Sequence, residues 1–336
     1  MSTKRKDGRL VKAITDRITK RKIYFYGKTE REINQKILQY KEEQQVNRQK
    51  FSNIADEWWK NLGQSNLQYQ TIKGYRASYE RAKEEFGTFA IQEIRPKNIN
   101  KFLLKLKQKD YSFKTIANNK LVLNLIFNYA VLENYIEYNP CASVSIPKDL
   151  VRNIRKPAEK ADEALIKNNA DIWIFPLIAL YTGMRKGEIL ALQWKDINFE
   201  ENTITVTKSV CFEGNAPRIK EPKTKAGYRT IPLLPRLKDE LLKLKKDDNE
   251  YVISENGKDP ITHKKYVCDW KRFQRITGIK CTAHQLRHSF ATIAFESNIP
   301  VKAVQEVLGH KQLSTTMDIY TAFRKESLDM FKKMNL

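Results

Sequence analysis

Residues 282 to 320 constrain this chain more than any other stretch, because helix punctuation and chemically active side chains alternate there in a fixed order. Leu286, Phe290, Ile293 and Ala294 recur at one-face spacing, so the first part reads as a helix on which His284 and Arg287 lie one turn apart, within reach of one small anion. Pro300 opens a second, short helix with Val301, Val304 and Leu308 along one face, and Gly309 supplies the left-handed residue that stops it. His310 then stands in a turn just past a helix end. Thr315 and Asp318 form a capping pair for a further helix whose first turns carry Tyr320. His288, one turn from His284, competes with it for the same role.

Taken singly, each residue has an ordinary explanation: an ion-paired arginine, a capping histidine, a half-buried tyrosine. Taken together they suit a phosphodiester. Arginine's planar fork binds two phosphate oxygens at once, histidine moves protons near neutrality, and tyrosine is a covalent nucleophile when a base and positive charge assist it. Upstream, residues 173 to 181 read as an apolar helix ended by Gly183, and Ile189, Leu190 and Leu192 drive a next helix with Arg185 in its first turn. Glu188 lies one turn from Arg185, placed to orient the guanidinium or to share a proton network. Residues 203 to 207 alternate like a strand, and Lys223-Thr224-Lys225-Ala226-Gly227 reads as a turn before a second strand over 228 to 233, a β-hairpin with Lys223 near its tip.

Thr182-Gly183-Met184-Arg185, Pro222-Lys223-Thr224, His284-x-x-Arg287, Leu308-Gly309-His310 and Tyr320, in that order, resemble the tyrosine recombinase (phage integrase) family across roughly residues 155 to 325. The resemblance implies a mostly α catalytic domain with a small β-hairpin or sheet. It implies that Arg185 and Arg287 hold the non-bridging oxygens of a scissile phosphate while Tyr320 attacks phosphorus to give a 3′-phosphotyrosyl link. Lys223 would protonate the departing 5′-oxygen, with Lys220 and Lys225 as alternatives. His284 would move the tyrosine's proton and His310 would hydrogen-bond the phosphate. Two arginines can then supply the charge stabilisation that metal ions give elsewhere, so no metal is expected. The bond energy stays in the protein–DNA link, so no cofactor is expected either, and the sequence holds no G-x-x-x-x-G-K-S/T loop.

Charge supports this reading. The 336 residues carry a formal net charge of +23, which favours a nucleic-acid partner. Cys141, Cys211, Cys268 and Cys281 show neither metal-ligand spacing nor a disulfide framework, as expected of a reducing cytoplasm, and no run is apolar enough for a membrane span. Residues 1–47 read as a small basic α+β domain: a charged, loose start to about Arg9, strands over 11–17 and 20–26, then a helix opened by Thr29-x-x-Glu32 with Ile33, Ile37 and Leu38 on one side. Lys20, Arg21 and Lys22, interleaved with Tyr24 and Tyr26, suit a DNA groove. In the family, such a domain binds accessory arm sites.

Residues 51–140 read as an all-α domain, with Trp58 and Trp59 as core and Lys73, Arg76, Arg81 and Lys83 exposed, and the resemblance makes it the core-binding domain. Residues 141–160 read as a linker whose Arg152, Arg155 and Lys156 meet phosphates, 161–323 as the catalytic domain, and 324–336 as a tail with Leu328, Met330, Phe331 and Met334 on an apolar face. The implied partners are double-stranded DNA attachment sites, further subunits in a homotetramer on DNA, and an accessory DNA-bending or excision protein. Two other readings stay open here: a non-catalytic DNA-binding regulator using the helix–Gly–helix around Gly183, and a type IB topoisomerase.

Overall fold

In the computed structural model the described residues are 3–4, 9–15, 22–46, 49–65, 67–150, 156–222, 227–310, 312–314, 316–317, 319–321 and 323. Lys20, Arg21, Arg152, Arg155, Lys223, Lys225, Thr315, Asp318 and the tail 324–336 lie outside them. The chain divides into two units, Met1–Asn153 and Ile154–Leu336.

In the first unit, β1 (Thr3–Lys4), β2 (Leu10–Thr15) and β3 (Lys22–Gly27) form an antiparallel sheet in that order. The start of the chain is therefore not wholly loose: Thr3 and Lys4 pair with Val11 and Leu10. Period-two alternation puts Lys22, Tyr24 and Tyr26 on the exposed face of β3, while Ile23 and Phe25 are half-buried. α1 (Glu30–Val46) buries Ile33 and Ile37. Leu38, expected on that side, is 57% exposed, because the inward stripe continues from Ile37 to Tyr40, whose ring meets Phe25 edge-on at 5.5 Å. The cap at Thr29 is half of the expected box: Thr29 Oγ1 accepts from Glu32 N, but Glu32 reaches back to the N–H of Lys28, one residue early.

α2 (Phe51–Gly63), α3 (Tyr69–Phe86), α4 (Pro96–Gln108) and α5 (Phe113–Leu132) surround a core of Phe51, Ile54, Leu103, Ile116, Leu123 and Phe127. Pro96 begins α4 where its missing N–H costs nothing, and Ser112 caps α5 by accepting from Thr115 N. Trp58 is buried and Trp59 stacks on Tyr79 at 4.5 Å, so both indoles are occupied within the fold. Lys73 and Arg76 are exposed on α3, but Arg81 and Lys83 are half-buried: Arg81 lies over the Tyr111 ring and Lys83 pairs with Asp56 at 2.6 Å. The expected linker starts late, since Cys141 and Val144 are buried in this same helical core.

The second unit runs α6 (Lys160–Asn168), α7 (Phe175–Thr182), α8 (Lys186–Leu190), β4 (Ile197–Asn198), β5 (Thr203–Val206), β6 (Ser209–Glu213), β7 (Ala216–Lys220), β8 (Arg229–Pro232), α9 (Pro235–Leu244), α10 (His263–Thr277), α11 (Ala283–Glu296) and α12 (Val301–Leu308). Described residues between 313 and 323 are helical. α7 is apolar all round and every residue from Phe175 to Leu180 is buried, which makes it the central helix, packed against α11. Buried Asp162 on α6 accepts from the N–H groups of Lys280 and Cys281 and so fixes the entry to α11. Thr282 and Gln285 complete a reciprocal cap there.

The single expected hairpin is two structures. β5 does pair with β8, Thr203 opposite Pro232, in the sheet β4-β5-β8, but β6 and β7 form their own hairpin between them. Pro217 in β7 argues against a strand in the sequence, yet it is tolerated in this two-stranded ribbon, where turning falls to Gly214 at φ 62°. Arg185 also moves: it is the N-cap of α8, and Leu192 lies beyond that helix. Among the described residues no helix is long and apolar enough to cross a membrane.

Candidate active site

α7 and α12 both end on left-handed glycines, Gly183 (φ 63°) and Gly309 (φ 66°). Helix ends of this kind leave carbonyls without intrahelical partners. Here arginines take them. Arg287, buried on α11, donates from Nη1 to the Gly183 carbonyl (2.6 Å) and from Nη2 to the Leu308 carbonyl (2.7 Å). Arg185 donates from Nη2 to the Gly309 carbonyl (3.1 Å). Gly183 is held to glycine twice over, by its positive φ and by its neighbours: a Cβ would lie 2.6 Å from Phe290 Cδ1 and 2.7 Å from Leu308 Cδ2. Gly183→Ala is expected to destabilise the second unit by about 2–5 kcal/mol, left-handed strain plus overpacking. Gly214→Ala, with the same φ sign and nothing within 4 Å, is the control that should show only the strain. Urea unfolding followed by hydrogen exchange in α7 and α11 compares the two.

Glu188 ties Arg185 down from the other side. Its Oε1 accepts from Arg185 Nη1 (2.8 Å), and its Oε2 from the Arg185 backbone N–H (2.8 Å). The same carboxylate pairs with Arg229 of β8, whose Nη2 donates to Oε2 at 2.7 Å and whose Nε donates to the Val307 carbonyl. Arg229 leaves no local pattern in the sequence because its partner lies 41 residues away; an arginine two residues before buried Ile231 in the strand was its only signal. Burial would raise the Glu188 pKa, but the Arg229 hydrogen bond and charge, with Arg185, outweigh it and hold the carboxylate down to about 2. Burial first, then the Arg185 charge, lowers Arg287 to about 9, so it stays protonated at neutral pH. Three guanidiniums against one carboxylate leave the cluster with a net charge of two plus, the complement of an anion.

Arg185, Arg287, His284 and His310 share the wall of one cleft of about 700 Å³ in this unit. His310 Nδ1 is hydrogen-bonded to buried Thr316 Oγ1 at 2.8 Å, which fixes the ring. Burial, then the charges of Arg287 and Arg185, push the His310 pKa down to about 3, so the imidazole is neutral at working pH. His284 and His288 bring their Nε2 atoms to 3.1 Å, a pair in which one nitrogen holds the proton and the other accepts. Lys186 lines the cleft too and was not expected: its Nζ lies 4.8 Å from the Tyr266 ring centre and 5.4 Å from that of Phe212. Burial lowers its pKa.

Tyr320 does not line this cleft; its ring meets Phe295 edge-on at 5.2 Å, in a satellite core with Ile319 and Phe323. Lys223 lies outside the described residues, and Lys220, at the end of β7, is not on the cleft wall. Among the described residues no three His, Cys, Asp or Glu side chains converge as metal ligands.

Acid should unfold this unit in two stages. His310 is depressed from 6.5 to about 3, so its contribution is whole above about pH 6.5 and is lost as pH falls toward 3. Glu188 is depressed from 4.5 to about 2, so its contribution is whole above about pH 4.5 and lost below. The share of stability that these two groups supply should fall by at most about 1.4 kcal/mol per pH unit below 6.5 and at most about twice that below 4.5, less where solvent screens the partly exposed His310 ring. Denaturant midpoints between pH 3 and 8 for wild type and His310→Gln measure this; equal acid slopes in the two proteins near pH 5.5 would refute it.

A basic chain whose arginine cluster faces a cleft shared with His284 and His310 is equipped to handle a phosphodiester. Comparison with known proteins agrees. The sequence model of the phage integrase family matches residues 149–327. The chain belongs to that family, and so is a tyrosine recombinase, an enzyme that breaks and rejoins DNA. It is 31% identical over 283 positions to a XerC-like tyrosine recombinase of Caldanaerobacter subterraneus, covering 74% of this chain and 72% of that one. It is 27% identical to the prophage ps2 probable integrase of Lactococcus lactis, covering 96% of this chain and 95% of that protein. Two solved structures share the fold. The Tn1549 transposon integrase in complex with transposon right end DNA has a TM-score of 0.66 at 20% identity over 84% of this chain and 99% of that one. The lambda integrase tetramer bound to a Holliday junction has a TM-score of 0.61 at 17% identity over 94% of each.

Proposed function

We propose that this protein is the integrase of a mobile element or prophage, acting in the cytoplasm on double-stranded attachment sites as a homotetramer, with an accessory DNA-bending or excision protein as a further partner. The observation that carries the chemistry is the convergence of Arg185, Arg287, His284 and His310 on one cleft. Arg287 uses one N–H of each Nη on carbonyls and keeps three N–H groups for phosphate oxygens, already oriented before DNA arrives. If the Thr316 hydroxyl donates to His310 Nδ1, the neutral imidazole carries its proton on Nε2 and offers it to a phosphate oxygen. The His284–His288 pair accepts the Tyr320 phenol proton and returns it, and Lys223 serves as acid to the departing 5′-oxygen. The phenol ring packs on Phe295 and Tyr320 is not among the cleft-lining residues, so cleavage requires its oxygen to be brought to a phosphate held there.

In this reading residues 1–47 bind arm sites through Lys20, Arg21 and Lys22. Residues 51–140 hold the core site through groups such as Lys73 and Arg76, the linker cations Arg152, Arg155 and Lys156 meet phosphates, and residues 161–323 do the chemistry. The tail 324–336 couples subunits. The assay is strand exchange between labelled duplexes spanning the two junctions of the encoding element. Wild type should give recombinant duplexes and an Arg185→Ala, Arg287→Ala double variant none; specific binding without exchange, alone or with accessory protein, would favour a non-catalytic regulator.

A further inference from the structure

The last carbonyls of α12 and its cap are shared among three arginines in register: Val307 accepts from Arg229, Leu308 from Arg287 and Gly309 from Arg185. Two of these arginines line the cleft and the third does not. Arg229 is as buried as its partner Glu188, each side chain 6% exposed, and its guanidinium contacts both structures that define where Arg185 stands: the Glu188 carboxylate and the turn leading to His310.

We propose that Arg229 is a positioning residue for DNA cleavage, holding Glu188 and the end of α12 in one register so that Arg185 and His310 meet the same phosphate. This rests on the recombinase reading above. A packing role alone would be served by any apolar side chain of similar volume, and buried ion pairs are often no more stabilising than such replacements. The planar fork does what an apolar group cannot. It presents one edge to both carboxylate oxygens and a third N–H to a backbone carbonyl, and fixes the distance between them. Arg185, held by Glu188 on one side and the Gly309 carbonyl on the other, has its position set by that distance.

Lysine at 229 keeps the charge but cannot span both partners, so Arg229→Lys in the full chain is the test. Single-turnover cleavage of a nicked duplex should slow by about 10²-fold, the cost of misplacing a reacting group by about 1 Å, while DNA affinity stays within about threefold, since Arg229 touches no DNA in this reading. The pH profile should change as well. Glu188 is faced by Arg229 from β8, by Arg185 at the start of its own helix and, further off, by Arg287 from α11. With Arg229 weakened, its carboxylate protonates at higher pH, so cleavage should fall more steeply toward acid than it does in wild type. A second arm uses Glu188→Gln: adding Arg229→Lys to it should lower the rate no further if the two act as one unit, and multiply the losses if they act separately. Wild-type kinetics in Arg229→Lys, parallel loss of binding and cleavage with an unchanged pH profile, or multiplying losses in the double variant would each overturn the proposal. A wild type that never cleaves would instead overturn the recombinase reading.

Discussion

Arg287→Ala is expected to reduce single-turnover cleavage by about 10³-fold, at the upper end of what removing one charge-stabilising donor costs. The effect is large because this guanidinium is both a clamp for the phosphate and a strut of the fold. It is fixed by two carbonyls from helices 21 and 104 residues away in sequence, so it is aligned before substrate binds. Its removal leaves the Gly183 and Leu308 carbonyls without their donor in a buried place, for which about 2–4 kcal/mol of destabilisation is expected. Arg287→Lys separates the two contributions: one ammonium cannot span both carbonyls, so much of the cleavage loss should persist while stability recovers in part. Cleavage rates at saturating protein, beside thermal melting of each variant, check this. A variant that melts like wild type and cleaves within about tenfold of it would show that the carbonyl-anchored guanidinium is not the phosphate clamp.

The helical skeleton was legible because its signals are local. The apolar run before Gly183, the stripe Val301, Val304, Leu308 and the stop at Gly309 all report themselves within a few residues, and the helices end where those glycines stand. The cleft was legible in four of its members, since His284 and Arg287 share a helix turn and Arg185 and His310 each follow a helix-ending glycine. What was missed depends on pairing at a distance. Arg229 has meaning only beside Glu188, and Lys186 only beside Phe212 and Tyr266. The β6–β7 hairpin was hidden because Pro217 speaks against a strand unless the partner across the ribbon is known. Arg81 and Lys83 look like free surface cations by helical period, but Tyr111 and Asp56 engage them from other elements.

Tyr320→Phe is expected to abolish covalent capture of DNA altogether, because it removes the one oxygen that would bond to phosphorus, while the ring edge packed on Phe295 is retained. No other residue can substitute for that oxygen in a phosphotyrosyl mechanism. Folding and DNA affinity should be unchanged, which separates this variant from Arg287→Ala, where rate and stability fall together. The measurement is made on nicked duplexes from the junctions of the encoding element, incubated with each protein in chelator, denatured, and read for protein–DNA product with the linked peptide sequenced. An adduct formed by wild type alone and mapped to Tyr320 is the predicted result. An adduct persisting in Tyr320→Phe, or none from wild type despite tight, specific binding, would contradict the account.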